Sequence, residues 1–425
     1  MKKLIYTLVI LAFVSSVSAQ WSEQTSGVTT VLYSVSAVDN NVVWVCGAGG
    51  KVLRTVNGGT TWNLTASPNS ALNFVNIWSV DANTALVTGS GSTTYVYKTT
   101  NGGVNWTQVF SQANGYINAI TGLTTVNNNT LFISGNPVGG RWSLWMSTNA
   151  GTTWDSAGMY IQQSGTETGY NNSLTSVHFN FSANTPTRIW FGTNNSRIYY
   201  YKYGQGWNSQ SISEANCYFV RFLDTLYGLA GGSTGNVMTT NSGQAWWQGT
   251  AFPGSGNLSG FAFTQEGFYI SRGSSIYFTN VISPASVWNP VYSQTGIYKD
   301  LTLTRTAPQK YLWGVRDNGG ISKYSVPVGI IPISSETPSA FSLSQNYPNP
   351  FNPTTKIKFD VVRVGDVKIV VYDVMGREVQ TLVNESLKPG TYEASFDGSA
   401  LNSGVYFYKL VTDNFVETRK MILLK

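Results

Sequence analysis

Four segments of the chain align without gaps: Thr55-Val-Asn57-Gly-Gly59-Thr-Thr-Trp62, Thr99-Thr-Asn101-Gly-Gly103-Val-Asn-Trp106, Ser147-Thr-Asn149-Ala-Gly151-Thr-Thr-Trp154 and Thr239-Thr-Asn241-Ser-Gly243-Gln-Ala-Trp246. Their common form is Ser/Thr-x-Asn-x-Gly-x-x-Trp. Degraded copies end at Trp207 and Trp288, and Trp21 heads a similar stretch. These seven Trp lie 41, 44, 48, 53, 39 and 42 residues apart. That spacing fits one four-stranded propeller blade per unit. The first unit shows the strands in outline. Residues 32–38 alternate, Asp39-Asn40-Asn41 turns, and 42–46 form a second strand. A loop at 47–50 precedes a third strand at 51–56, and Asn57-Gly58-Gly59 is a hairpin turn leading to Trp62.

The chemistry of this box is local. Asn tolerates left-handed backbone and bonds the backbone two residues on. Gly supplies positive φ, Ser or Thr caps the turn, and Trp buries a large ring between sheets. None of these side chains is ionisable, so the box reads as structural. It resembles the Asp-box (BNR) repeat of sialidase-like and photosystem-assembly-factor-like propellers, with Asn57, Asn101, Asn149 and Asn241 where that family usually has Asp. The resemblance implies a propeller but leaves function open, because the family mixes enzymes and binders.

The last unit, residues 296–324, repeats the loop and third strand of the first and then stops without a box or Trp. Residues 21–25 are expected to supply the missing fourth strand and close a seven-bladed ring without an open edge. The remaining composition agrees with an all-β chain. Charged residues are 11%, aromatics 14%, and Gly numbers 43 of 425.

Residues 1–19 read as a secretory signal peptide. Lys2 and Lys3 precede an apolar run over 4–14, and Val17-Ser18-Ala19 offers a cleavage site. The run is too short to span a membrane, and no later segment approaches the necessary length. Cys46 and Cys217 fall on non-neighbouring blades and are expected as separate buried thiols. Residues 21–326 carry 14 basic and 10 acidic side chains, too dilute for a nucleic-acid footprint.

The repeat ends near residue 326. Residues 327–339, rich in Pro, Ser and Ile, read as a linker. Residues 340–425 read as a small antiparallel β-sandwich with strands near 356–361, 366–372, 391–396, 404–411 and 417–424. Within it stand Gln345-Asn346-Tyr-Pro348-Asn-Pro350-Phe-Asn-Pro353, Tyr372-Asp-Val-Met-Gly376-Arg377, Gly404-Val-Tyr406 and Lys420-Met-Ile-Leu-Leu-Lys425. These motifs look like the type A sorting domain of type IX secretion. The resemblance implies passage through the periplasm, recognition by the outer-membrane translocon, and removal by a sortase-like peptidase. The protein is then secreted or held at the cell surface.

Candidate chemistry is sparse. The Arg-Ile-Pro segment expected before the first box of a sialidase is absent, and Arg188-Ile-Trp190 does not replace it. Glycoside hydrolases need two carboxylates roughly 5–9.5 Å apart. Asp39, Asp81, Asp224 and Asp317 fall in turns, Glu23 on the closing strand, and Asp155 after a box Trp. Glu167, Glu214, Glu266 and Asp300 read as solvated surface carboxylates. His178, the single histidine, reads as packed in a strand. Neither a transition-metal site nor a nucleotide cofactor loop is indicated.

A binding surface is expected where two long loops adjoin, residues 135–142 and 157–172. There Arg141, Trp142, Tyr160 and Tyr170 combine aromatic and cationic character suited to a glycan or protein ligand. The favoured reading is a non-enzymatic binding or adhesion module. A glycoside hydrolase or sialidase-like enzyme is the alternative.

Overall fold

Short apolar–polar alternations broken by Gly, Asn and Asp give antiparallel hairpins along the whole chain. The computed structural model describes residues 21–122, 129–169, 175–177, 188–202, 206–222, 228–232, 236–239, 245–264, 267–280, 283, 286–305, 311–325, 331–334, 338–387, 389–398 and 401–425. The signal-peptide segment, His178, Glu266, Tyr170, Asn241 and Gly243 lie outside them. Among the described residues every regular element is a strand.

Among the described residues, seven antiparallel sheets succeed one another between residues 21 and 325. Their first strands are Leu32–Ala37, Asn73–Ser79, Ile117–Gly122, Thr175–Val177, Phe219–Phe222, Leu258–Phe263 and Tyr298–Leu303. Each first strand packs on the next one, and the seventh packs on the first, so the sheets form a closed ring. The fourth strand of the last sheet is Trp21–Gln24, which pairs with Ile321–Ser325 in the register Trp21 to Tyr324. Both ends of the repeat region therefore meet in one blade, as the truncated last unit requires.

Packing between sheets is aromatic. Trp44, Trp142, Trp190 and Trp313 are fully buried. Cys46 and Cys217 are separate buried thiols, and their Sγ atoms donate to the Phe74 and Phe219 carbonyls, each at 3.2 Å. Burial raises both thiol pKa values.

Residues beyond 326 depart from expectation in two ways. The span read as an unpatterned linker contains a strand, Ile331–Ser334, which pairs with Gly390–Asp397. The sandwich also holds a long strand that the sequence reading missed, Glu378–Leu387, which pairs with Gly365–Tyr372. The two four-stranded sheets enclose Phe351, Phe359, Ile369, Phe396, Tyr408 and Leu423.

Candidate functional site: two propeller faces and a motif-bearing pole

The box turns repeat one hydrogen-bond pattern three times. The Thr55 hydroxyl donates to Asn57 Oδ1 at 2.9 Å and accepts from the Gly59 amide at 2.9 Å. Asn57 Oδ1 also accepts from the Thr61 amide at 3.0 Å. Thr99, Asn101 and Gly103 repeat the set, as do Ser147, Asn149 and Gly151. The second glycine is obligatory for two reasons. Gly103 has φ of +87°, and a Cβ there would sit 2.6 Å from Thr65 of the preceding blade. The Trp then closes the inter-blade seam: Trp62 meets Trp313 edge-on at 5.8 Å, and Trp106 meets Trp44 at 6.3 Å. Trp154 packs on the Leu86–Leu131 cluster, and the Trp246 indole donates to Gln210 at 2.8 Å. These turns share a face with the first turn of each blade, because the Gly58, Gly102 and Ala150 amides donate to the Asn41, Asn83 and Asn129 carbonyls.

A basic position before the box escaped the sequence reading. Arg54 Nη1 reaches the Gly102 carbonyl at 3.5 Å, Lys98 Nζ donates to Thr152 Oγ1 at 2.8 Å, and Lys323 Nζ donates to the Gly58 carbonyl at 2.8 Å. In each case a third-strand cation grips the turn of the following blade. Lys323 also lies 4.1 Å from the Tyr311 ring and 5.0 Å from the Trp313 ring. The signal was present in the sequence: Arg54 and Lys98 immediately precede a box threonine.

The opposite face holds the loops singled out for binding, and one member of the patch fails. Trp142 is fully buried in the cluster of Phe132, Leu144, Phe191 and Tyr199. The third blade's second and third strands run long, Leu131–Val138 and Arg141–Ser147, so the connection is a tight hairpin at Gly139-Gly140. Trp142 is thereby drawn into the sheet, two residues before Leu144 on the same face. Part of the second loop is also sheet-like. The Trp142 amide donates to the Ile161 carbonyl at 3.0 Å, and the Gln163 amide donates to Gly140 at 2.9 Å. Arg141 and Tyr160 remain at the surface. The guanidinium carbon lies 5.4 Å from the ring centre, and Tyr160 is 57% exposed.

Three carboxylates expected in solvent are instead buried. Glu167 is 1% exposed, accepts from the Tyr199 hydroxyl at 2.7 Å and pairs with Arg197 Nε at 3.2 Å. Glu214 is also buried. Asp300 accepts from Ser34 Oγ at 2.8 Å and from the Val35 and Leu301 amides at 3.0 and 2.8 Å. Burial raises its pKa against those bonds and the Arg221 charge. Asp300 thus ties the seventh blade to the first, as Asn76 ties the second to the third through the Ile120 amide at 3.0 Å.

In the sandwich the sorting motifs converge on one pole. Asn346, 2% exposed, donates to the Pro348 carbonyl and to Thr355 Oγ1, each at 3.0 Å, and its amide donates to the Tyr408 hydroxyl at 2.8 Å. The Tyr347-Pro348 and Asn349-Pro350 bonds are cis. Phe351 exchanges backbone bonds with the last strand: its amide donates to Ile422 at 2.9 Å and its carbonyl accepts from Leu424 at 3.0 Å. The Pro353 carbonyl accepts from Gly398 at 2.8 Å. Asp373 caps the Gly376 turn through the Met375 and Arg377 amides at 2.9 and 3.0 Å, and Gly376 takes φ of +76°. The turn abuts the same pole because Tyr372 faces Phe407, Phe407 faces Lys420, and Gly404 faces Leu423. Tyr347, Val374, Met375 and Leu424 stand exposed there, at 81%, 66%, 77% and 54%. The chain joins the sandwich in the remote half, where Ser334 pairs with Thr391 and Ser342 with Asp360.

Residues 345–424 match the family described as the secretion system C-terminal sorting domain. The C-terminal sandwich is such a domain, and it directs the protein by type IX secretion to the cell surface or the extracellular space. No curated protein matches the sequence. The fold is similar to that of YCF48 bound to D1 peptide, with a TM-score of 0.53 and 16% identity over 72% of this chain and 97% of that one. YCF48 from Cyanidioschyzon merolae gives 0.51 and 16% over 72% and 98%. The extracellular domain of BT4673 from B. thetaiotaomicron gives 0.51 and 10% over 96% and 59%. These likenesses show the fold, a β-propeller. Among the described residues no helix is long and apolar enough to cross a membrane.

Proposed function

We propose that the protein is a type IX cargo built of an address and a binder. Residues 1–19 are the signal peptide, 20–326 an Asp-box-type propeller, 327–339 the connection, and 340–425 the address. The propeller acts as a ligand-binding or adhesion module rather than an enzyme. What favours binding is the surface pair Arg141–Tyr160, an aromatic face under a cation on a rigid sheet edge. The Glu167 carboxylate is already held by Arg197 and Tyr199, which suits a structural role. A peptide-bound relative of this fold, YCF48 with its D1 peptide, makes a peptide as reasonable a ligand class as a glycan. Glycan and peptide arrays with the wild type, Arg141→Ala and Tyr160→Ala test the reading. Binding weakened by both variants supports it; binding indifferent to both, or turnover in a chromogenic glycosidase panel, overturns it.

For the address, the exposed apolar side chains at the motif-bearing pole are the proposed contact with the translocon. Tyr347 and Met375 contribute little to the sandwich core, so Tyr347→Ser with Met375→Ser should leave folding intact and stop export. Export at the normal rate would place recognition elsewhere on the domain.

A further inference from the structure

Among the described residues, one guanidinium on the ring's innermost strands has no hydrogen bond or ion pair. The first strands share a register in which Ser36, Trp78, Thr121, Arg221, Ala262 and Thr302 occupy one layer, each opposite the equivalent second-strand residue. On these innermost strands the layer shares the sheet face turned toward the following blade: Ser36 bonds Ser79, Trp78 packs with Ile120 and Leu131, and Phe219 beside Arg221 packs with Phe261. Arg305, just past the end of the seventh blade's first strand, reaches across to it: Nη1 donates to Ser36 Oγ at 3.1 Å, Nη2 donates to the Ser79 carbonyl and to Ser79 Oγ, and the guanidinium lies 4.5 Å from the Trp78 ring centre. Arg305 therefore occupies the end of the channel on the face of the Asn-Gly turns.

Arg221 belongs to the same layer and has no hydrogen bond or ion pair among the described residues. It senses Asp300 electrostatically across the sixth blade, whose inner residues there are Gly260 and Ala262. Asp300 makes no direct pair with it: that carboxylate's oxygens accept from Ser34, Val35 and Leu301. Among the described residues Arg221 thus has no directly paired anion. A partly dehydrated guanidinium without a counter-charge is costly, and its planar fork matches a carboxylate bidentately. Asp300 disfavours a dianion such as phosphate.

We propose that the central channel binds a monoanionic carboxylate on Arg221, entering from the face opposite the Asn-Gly turns. This site is separate from the Arg141–Tyr160 surface and stands without it. Fluorine NMR of the full chain with trifluoroacetate as probe, and trifluoroethanol as the neutral control, tests it. The wild type should broaden the trifluoroacetate line and leave trifluoroethanol sharp. Arg221→Gln should weaken trifluoroacetate binding about tenfold or more, the effect of losing a charge-assisted hydrogen bond, while Arg141→Ala should not. If Arg221→Gln does not fold, Arg221→Lys, which keeps the charge and loses the fork, should still reduce binding severalfold. Displacement by a free-C-terminus tripeptide but not by glucuronate assigns a peptide source, and the reverse assigns a uronic acid. Equal broadening in the Arg221 variants, or none with the wild type, overturns the proposal.

Discussion

Removing the closing strand should unfold the ring from its seam. Trp21 is 9% exposed, stacks on Tyr292 at 4.6 Å with planes 9° apart, and lies 4.8 Å from Tyr324. Truncating a buried Trp to Ala costs about 3–5 kcal/mol. For a domain of this size each kcal/mol lowers the melting temperature by roughly 2 °C, so Trp21→Ala should lose about 6–10 °C. Deleting residues 21–27 should cost more. It also removes the Glu23 carboxylate that accepts from Ser322 Oγ at 2.6 Å and from the Tyr292 hydroxyl at 3.0 Å. The same carboxylate pairs with Arg316, whose side chain is 4% exposed. Its loss leaves the buried Arg316 side chain without that carboxylate, which is destabilising. The assay has a convenient selectivity. All 14 Trp lie between Trp21 and Trp313 and none in residues 340–425, so tryptophan fluorescence melts the propeller while the sandwich is silent. A shift below about 2 °C for the deletion, under roughly 1 kcal/mol, would refute the closure argument.

Other perturbations carry their own expected outcomes. Gly103→Ala forces a Cβ into Thr65 at positive φ and should cost about 2 kcal/mol or more, read by the same fluorescence melt. Lys323→Met should cost about 1 kcal/mol through lost cation–π and carbonyl contacts. Tyr408 is pushed up to about 12, mainly by burial and against the hydrogen bond from the Asn346 amide. The folded chain then keeps a proton that the unfolded chain releases near pH 10. Its stabilisation is complete below pH 10 and is lost as pH rises toward 12. Tyr408→Phe should flatten that part of the sandwich's stability profile, followed by far-ultraviolet circular dichroism. An unchanged alkaline slope would contradict the assignment.

What could be read from the chain and what could not follow from the range of the interactions. The box is local: Thr55, Asn57, Gly59 and Thr61 bond one another within seven residues, so their pattern exposed the repeat and even the missing fourth strand. The strand Glu378–Leu387 was hidden because its outward residues are Glu, Gln, Thr and Asn, and the run reads as polar loop. Trp142 was misplaced because Gly-Gly-Arg-Trp looks like a loop tip. Counting back by twos from Leu144 would have put the ring in the core. Glu167 and Asp300 could not be placed, since their partners Arg197 and Ser34 arrive from other blades. Arg221 carried no signal either, because ring geometry alone gathers first-strand residues around one axis.

The claim that an independent propeller is carried by a C-terminal address is tested most directly by surface accessibility. In a type IX-competent host, antibody against the propeller should label intact cells or the medium for the full chain. For a chain ending at residue 339, it should find a propeller with native tryptophan fluorescence retained in the periplasm. Surface or secreted propeller without residues 340–425 would contradict the account.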